Sequence, residues 1–163
     1  MVHRVLSLAL VVTLSVTVVA AASAQEKFSD TRVFTVVKAE TLPVGDVEGH
    51  VLVLTEMKGY DVQQNNVIVS RGVNDLVKGN GRTFGYGVST NPDGDVVHYS
   101  YEGQVTTRPG PDGKPLTVAE GKWTLTGGTG KWQNRSGRGV FKNTSRGQGV
   151  SVAEWEDVWE PKK

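Results

Sequence analysis

The sequence contains no cysteine, and this absence excludes several classes of protein. A chain without thiols has no disulfide framework, no cysteine nucleophile, no iron–sulfur cluster and no cysteine zinc site. A strong net charge is also missing, since 18 Lys and Arg residues stand against 17 Asp and Glu residues. Such a balance does not indicate an electrostatically driven binder of nucleic acid, so we expect no nucleic-acid partner.

Long apolar runs are missing after the first 24 residues. A short basic start leads into an apolar stretch over residues 5–19, and Ala22-Ser23-Ala24 then fits a cleavage site. This order predicts a secretory signal peptide over residues 1–24, with residues 25–163 left as a single domain. An uncleaved membrane anchor is the alternative, which the small residues at the end of the stretch disfavour. We expect an exported protein, periplasmic or secreted, with no membrane span after cleavage.

Groups that bind metals or act as nucleophiles are also scarce. After residue 24 the histidines are His50 and His98, and no H-E-x-x-H or H-x-H spacing is present. A metal site needs three or four converging ligands, so we predict neither a metal nor a cofactor. The sequence also has no G-x-S-x-G segment, which makes a serine hydrolase a poor interpretation.

Glycine, in contrast, is abundant. All 20 glycines follow residue 24, at roughly twice the usual frequency of about 7%, and they separate short runs of β-branched and aromatic residues. Many short strands joined by tight turns give this pattern. The predicted strands are 31–37, 50–57, 67–71, 82–89, 96–106, 116–126, 138–143 and 150–159, with a possible short helix over 73–78.

Eight strands without a long helix predict an all-β fold, and we favour an eight-stranded antiparallel closed barrel. Closing a sheet removes the unpaired hydrogen-bonding groups at its two edges. Glycines within strands also suit the sharp bends of a small barrel. A β-sandwich is the alternative fold.

One segment carries a family resemblance. Gly127-Gly128-Thr129-Gly130-Lys131-Trp132, followed by Gly137-Arg138-Gly139-Val140-Phe141, resembles the hairpin of the allene oxide cyclase and dirigent barrels, and of small exported bacterial proteins of unknown function. The resemblance implies an eight-stranded, calycin-like barrel with an apolar cavity. It implies a structural hairpin at Gly127, Gly128 and Gly130, and it carries over no catalytic residue.

Aromatic residues on the predicted strands suggest a ligand. In a closed barrel alternate positions line the interior, and Tyr and Trp offer a large apolar face with one polar group. Packing of these rings as a core is the alternative, and a register slip of one residue would exchange the two faces. The predicted cavity lining is Phe84, Tyr86, Tyr101, Trp123 and Trp155, with His98 and Glu120 as polar groups.

The resulting functional hypothesis is an exported barrel that binds a small hydrophobic molecule. One alternative is a cyclase or isomerase that uses shape and fixed dipoles instead of a nucleophile. The other is a structural or interaction protein of the envelope with a packed, ligand-free barrel. The sequence predicts no oligomeric state.

Overall fold

The computed structural model describes residues 26–161, and the predicted signal peptide lies outside them. These residues form eight strands and one turn of 3-10 helix. The strands are longer than their predicted cores, because each hairpin continues its ladder almost to the turn. Their bounds are β1 Glu26–Pro43, β2 His50–Asp61, β3 Val67–Val77, β4 Asn80–Thr90, β5 Val96–Pro109, β6 Pro115–Gly128, β7 Arg135–Gly147 and β8 Val150–Pro161.

The strands close into an antiparallel barrel in chain order, which confirms the predicted fold class. The first strand makes closure possible because its two halves have different partners. Residues 26–35 pair with β8 and residues 32–43 pair with β2, with an irregularity between Val36 and Lys38. The helix suggested for residues 73–78 is wrong, since β3 runs through Val77. Within residues 26–161, no helix has the length and apolar character to cross a membrane.

Aromatic side chains fill the middle of the barrel. Tyr99 meets Trp123 and Trp155 edge-on, with ring centroids 6.2 and 5.6 Å apart. Phe141 stacks on Trp155 at 5.5 Å. Edge-on and offset contacts are the favourable arrangements of aromatic rings. The buried core comprises Phe34, Ile68, Val97, Tyr99, Trp123, Phe141, Ala153, Trp155 and Trp159.

Each of several large rings lies across a glycine of the neighbouring strand. A Cβ atom built on Gly87 would overlap the Tyr99 ring, and one on Gly137 would come within 2.6 Å of Trp159. In both cases glycine and ring are direct partners in the ladder. The same pairing joins Phe34 to Gly59, Tyr101 to Gly85 and Trp123 to Gly139. The glycines on these inner faces therefore make the room that the rings occupy.

The connection between β6 and β7 covers one end of the barrel. It contains the 3-10 helix Gly130–Trp132, and Thr129 ties it to β5 by donating its N–H to the carbonyl of Val96 at 2.8 Å. Gly130 has φ +51°, and a Cβ there would overlap the Asp95 carboxylate. A side chain at that position would be strained as well as crowded. Gly127, in contrast, has open space beside it and belongs to the end of β6.

Gly87→Ala should destabilise the protein by about 1–3 kcal/mol, because the new methyl group overpacks the ring of Tyr99. Gly127→Ala is the matched control and should lie within about 0.5 kcal/mol of the parent. Urea unfolding measures both values. In a double-mutant cycle, Tyr99→Leu should relieve part of the Gly87→Ala cost. Equal stabilities of the two glycine variants would contradict this account.

Candidate functional site

Two of the predicted lining residues face outward. Phe84 and Tyr86 have 45% and 69% of their surface exposed, so their inward placement was wrong. The inner positions of β4 carry Gly85 and Gly87, because the rings of β5 occupy that part of the interior. Apolar character alone therefore selected the wrong face of this strand.

The two predicted polar groups were also placed on the wrong face. His98 is exposed on the strand that directs its neighbour Tyr99 inward. Glu120 is exposed and pairs with Lys142 of β7 at 2.9 Å. Successive residues of a strand point to opposite faces, which places both groups outside. Tyr101, Trp123 and Trp155 do lie inside, as predicted, with Trp123 and Trp155 buried and Tyr101 half-buried.

The exposed rings of Phe84 and Tyr86 border a groove on the outer wall. Its volume is about 410 Å³, and Leu54 and Val73 also line it. Every side chain that lines this groove is exposed or half-buried. A site that holds one ligand in one orientation usually has a few buried polar groups, which this groove does not supply.

Buried charges lie at the barrel end that the β6–β7 connection covers. The Arg32 guanidinium donates to Asp30 at 2.9 Å and to Asp157 at 3.1 Å, and its Nε is 3.6 Å from Asp61. Its central carbon also lies 3.9 Å from the Trp155 ring centroid. All four charged residues are buried. We call Asp30, Arg32, Asp61 and Asp157 the charged cluster.

The charged cluster ties together the strands that close the barrel. Asp30 and Arg32 belong to β1, Asp61 ends β2, and Asp157 belongs to β8. Arg32 and Asp30 point inward because residues 30, 32 and 34 share the inner face of β1. The guanidinium therefore links the N-terminal strand to both of its neighbours. This contact gives the cluster a structural role.

Burial dominates the protonation of this cluster. It raises the pKa of Asp30 to about 7, although Arg32 acts in the opposite direction. Burial also raises the pKa of Asp157, again against the effect of Arg32. The hydroxyl pKa of Tyr99 is raised by the same cause. Near neutral pH Asp30 therefore exists in both its protonated and its charged form, unlike an ordinary aspartate.

Two small cavities adjoin Tyr99. One, of about 20 Å³, is lined by Arg32, Asp157 and the rings of Trp123, Trp132 and Trp159. The other, of about 30 Å³, lies deeper and is bounded mainly by apolar side chains. Each has room for about one water molecule, whereas sites for drug-sized ligands occupy about 300–1,000 Å³. The interior thus matches the packed-core alternative, and the large apolar cavity that the resemblance implied is absent from residues 26–161.

The Tyr99 hydroxyl is buried without a hydrogen-bond partner among residues 26–161. Tyr99 is 3% exposed and lines both cavities. One carboxylate oxygen of Asp30 is also buried without a hydrogen bond. Unpaired buried polar atoms are uncommon and costly in folded proteins. These atoms make the charged end of the barrel the candidate functional site.

Trp132 covers the smaller cavity. Its ring packs on Trp159, with centroids 4.5 Å apart, and it belongs to the short connection between β6 and β7. Gln64 and Asn66, from the β2–β3 turn, complete the rim. These three residues are half-buried, so the cavity lies just beneath the surface. We call this region the capped end of the barrel.

The charged cluster was not predicted from the sequence. A usable signal existed in β8, where Asp157 lies between Trp155 and Trp159 at the spacing of a single inner face. A charged residue on an inner face of aromatic side chains must be buried with polar partners, so it indicates a buried polar site inside the barrel. In residues 26–161, no three His, Cys, Asp or Glu side chains are arranged to hold a metal ion.

Comparison with solved structures places the barrel near dirigent proteins. The pterocarpan synthase dirigent protein PsPTS1 superposes with a TM-score of 0.53 at 12% identity, covering 86% of this chain and 97% of its own. GePTS1, another pterocarpan synthase dirigent protein, gives 0.50 at 13% identity, covering 86% and 87%. No family model and no curated protein matches the sequence. At these identities the likeness shows the fold alone.

Arg32→Met should cost about 3–5 kcal/mol of stability, because it leaves three buried carboxylates without their cation. Arg71→Met is the matched control. Arg71 pairs with Glu56 at 2.7 Å but is 68% exposed, so its loss should cost no more than about 1 kcal/mol. Urea unfolding at pH 7 compares the two. Similar costs for both variants would show that the charged cluster does not hold the barrel closed.

The free energy of unfolding should fall between pH 5 and pH 8. Folded Asp30 keeps its proton up to about pH 7, whereas the unfolded chain releases it near 3.8, so rising pH favours unfolding. Asp30→Asn should flatten this dependence when unfolding is measured across that range. Higher stability at pH 8 than at pH 5 would contradict the assignment.

His50 contributes to the same pH dependence from the other end of the barrel. Its ring nitrogens bond Asp75 at 2.7 Å and Asp46 at 2.6 Å, and these bonds raise its pKa above the ordinary 6.5. The resulting stabilisation is complete below pH 6.5 and is lost as pH rises through the folded-state pKa. His50→Asn therefore separates this contribution from that of Asp30, and His98→Asn serves as its exposed control.

Proposed function

We propose that the protein is an exported binding barrel that takes a small aromatic molecule at its capped end. The observation that supports this most strongly is the buried, unpaired hydroxyl of Tyr99, a residue that lines the cavity beneath Trp132. A ligand group that enters the cavity would complete the hydrogen bonding of this hydroxyl. The proposal of export rests on the signal peptide predicted for residues 1–24.

The size of the cavity limits how such a ligand binds. About 20 Å³ admits one polar head group and not a whole molecule. The body of the ligand would therefore lie at the rim, against Trp132 and between it and Gln64. Trp132 belongs to a short connection and not to a strand, so it is the wall whose displacement breaks the fewest ladder hydrogen bonds.

The similarity to dirigent barrels supports this location. Two of those structures are named as pterocarpan synthases, so this barrel fold is used by proteins that handle a small organic molecule. Barrel mouths are frequent sites for small ligands. We propose that the present chain also binds a small organic molecule, and we do not propose that it catalyses the same reaction.

Catalysis of the cyclase or isomerase type is the second candidate. The pKa of Asp30, raised to about 7, suits a group that gives and takes a proton near neutral pH. Such a role would require a substrate within hydrogen-bond reach of Asp30. Binding comes first in either case, so the binding experiment tests both candidates.

Small aromatic probes should bind the mature chain with dissociation constants in about the millimolar range, as expected for molecules of this size. We suggest 2-phenylethylamine, 2-phenylethanol and phenylacetate, which share one ring and chain and differ in the head group. All four tryptophans contribute to the region around the capped end. Their four indole N–H signals in a two-dimensional NMR spectrum therefore report binding directly.

Trp132→Ala should change the affinity of a bound probe by at least about fivefold, because the ring forms the outer wall of the site. Tyr86→Ala removes an exposed ring from the outer groove and should leave the affinity within about twofold. If no probe shifts any indole signal, the proposed function is wrong and the ligand-free barrel is the better interpretation. If Tyr86→Ala abolishes binding, the ligand occupies the outer groove instead.

A further inference from the structure

Once Asp30 is ionised, above about pH 7, the charged cluster at the capped end contains more negative than positive charge. Three carboxylates surround the single guanidinium of Arg32, and the aspartates are 5%, 0% and 2% exposed. One oxygen of Asp61 accepts N–H bonds from Gln63 and Gln64 of the β2–β3 turn, and the other lies 3.6 Å from the Arg32 Nε. Asp157 is the carboxylate that lines the smaller cavity. A ligand group that enters this cavity therefore meets the Asp157 carboxylate, whose partner Arg32 also pairs with Asp30 and Asp61.

Arg32 also lines this cavity, but three carboxylates surround its charge, and four of the other lining residues are aromatic. Trp123, Trp132 and Trp159 line it together with Tyr99. The face of an aromatic ring attracts cations, and tryptophan does so most strongly. The barrel already holds one cation in this way, because Arg32 lies over Trp155 while it bonds two aspartates. The smaller cavity places Asp157, one of those two aspartates, beside three further indoles.

A metal ion fits this cavity poorly. Magnesium and calcium need about six or more oxygen ligands, whereas the carboxylates here are directed at a guanidinium. The volume of about 20 Å³ suits one ammonium group. The Tyr99 hydroxyl, buried and unpaired, can accept a hydrogen bond from such a group.

We infer that the ligand's head group is an organic cation, a primary amine or related ammonium, held by Asp157, Tyr99 and the surrounding tryptophans. This inference rests on the proposed function and names the chemical class of its ligand. The ammonium enters the cavity and donates to Asp157 and Tyr99. The apolar part of the ligand lies against Trp132.

Cations at the rim set the direction from which the ligand arrives. Lys131 and Arg135 lie 5.1 and 5.7 Å from the centroid of the Trp132 ring. Arg135 is paired with Glu26 at 3.0 Å. An incoming ammonium avoids these charges by passing on the side of Gln64 and Asn66, which are uncharged. Lys131→Gln should accordingly strengthen binding of an amine modestly, by less than about threefold.

The three isosteric probes test the head group directly. In the unmodified protein at pH 7.5, 2-phenylethylamine should bind at least about tenfold more tightly than 2-phenylethanol, and phenylacetate should bind most weakly. Equal or tighter binding of the alcohol or the acid would overturn the cation inference and leave the proposed function intact. Failure of all three probes to bind would overturn the proposed function itself.

Asp157→Asn should reduce amine affinity by at least about tenfold and change alcohol affinity by less than about twofold. Glu156→Gln is the matched control, since this carboxylate precedes Asp157 on β8 but is exposed. The probe order in the unmodified protein decides the question if Asp157→Asn does not fold. Equal loss of amine and alcohol binding would show that Asp157 supports the site without recognising charge.

Amine affinity should also rise between pH 6 and pH 8. Arg32, Asp61, Asp157 and Tyr99 face Asp30 from β1, β2, β8 and β5, and deprotonation of Asp30 adds negative charge beside Arg32, the cation that Asp157 shares with it. Affinity for the alcohol should not rise over this range. A fall in amine affinity with rising pH would contradict recognition of a cation.

Discussion

The pairing of each large ring with a glycine on the adjacent strand determines what this barrel can contain. An eight-stranded barrel is just wide enough for its own side chains to fill it. Tyr99 and Trp123 extend across the positions of Gly87 and Gly139, where any Cβ atom would collide with them. The choice of a large ring at one position therefore requires glycine at the paired position of the neighbouring strand. Because this packing occupies the middle, a ligand site inside the barrel can form only where the packing stops, at an end.

The charged cluster lies at such an end, and closure of the barrel explains only part of it. A buried ion group seldom stabilises a fold more than apolar packing of the same volume would. Arg32 links β1 to β2 and β8, which accounts for one carboxylate on each neighbour. Closure does not require Asp30 as a third carboxylate or an unpaired hydroxyl on Tyr99. This surplus of polar groups is the part of the structure that indicates function.

The sequence sufficed for the architecture and for only part of the site. Strand period, turn residues and the absence of long helices depend on local chemistry, which a single sequence records, and the barrel follows from them. Which side chains point into the barrel does not follow from local chemistry in the same way. Phe84 and Tyr86 lie outside because Gly85 and Gly87 make room for rings of β5, a relation between strands. The charged cluster joins residues 125 positions apart, so no local window contains it.

The segment with the family resemblance has two roles in the structure. Gly130 adopts a left-handed conformation that lets the Asp95 carboxylate approach, and the turn then carries Trp132 over Trp159. The residues that close the β6–β7 turn therefore also form the wall between the cavity and solvent. Since the packed middle leaves little room for variation, changes of ligand in such a barrel must come from the rim and the groups just beneath it. The barrel is shared with structures at 12% identity, whereas Trp132, Tyr99 and Asp157 are the residues that we propose determine ligand choice in this chain.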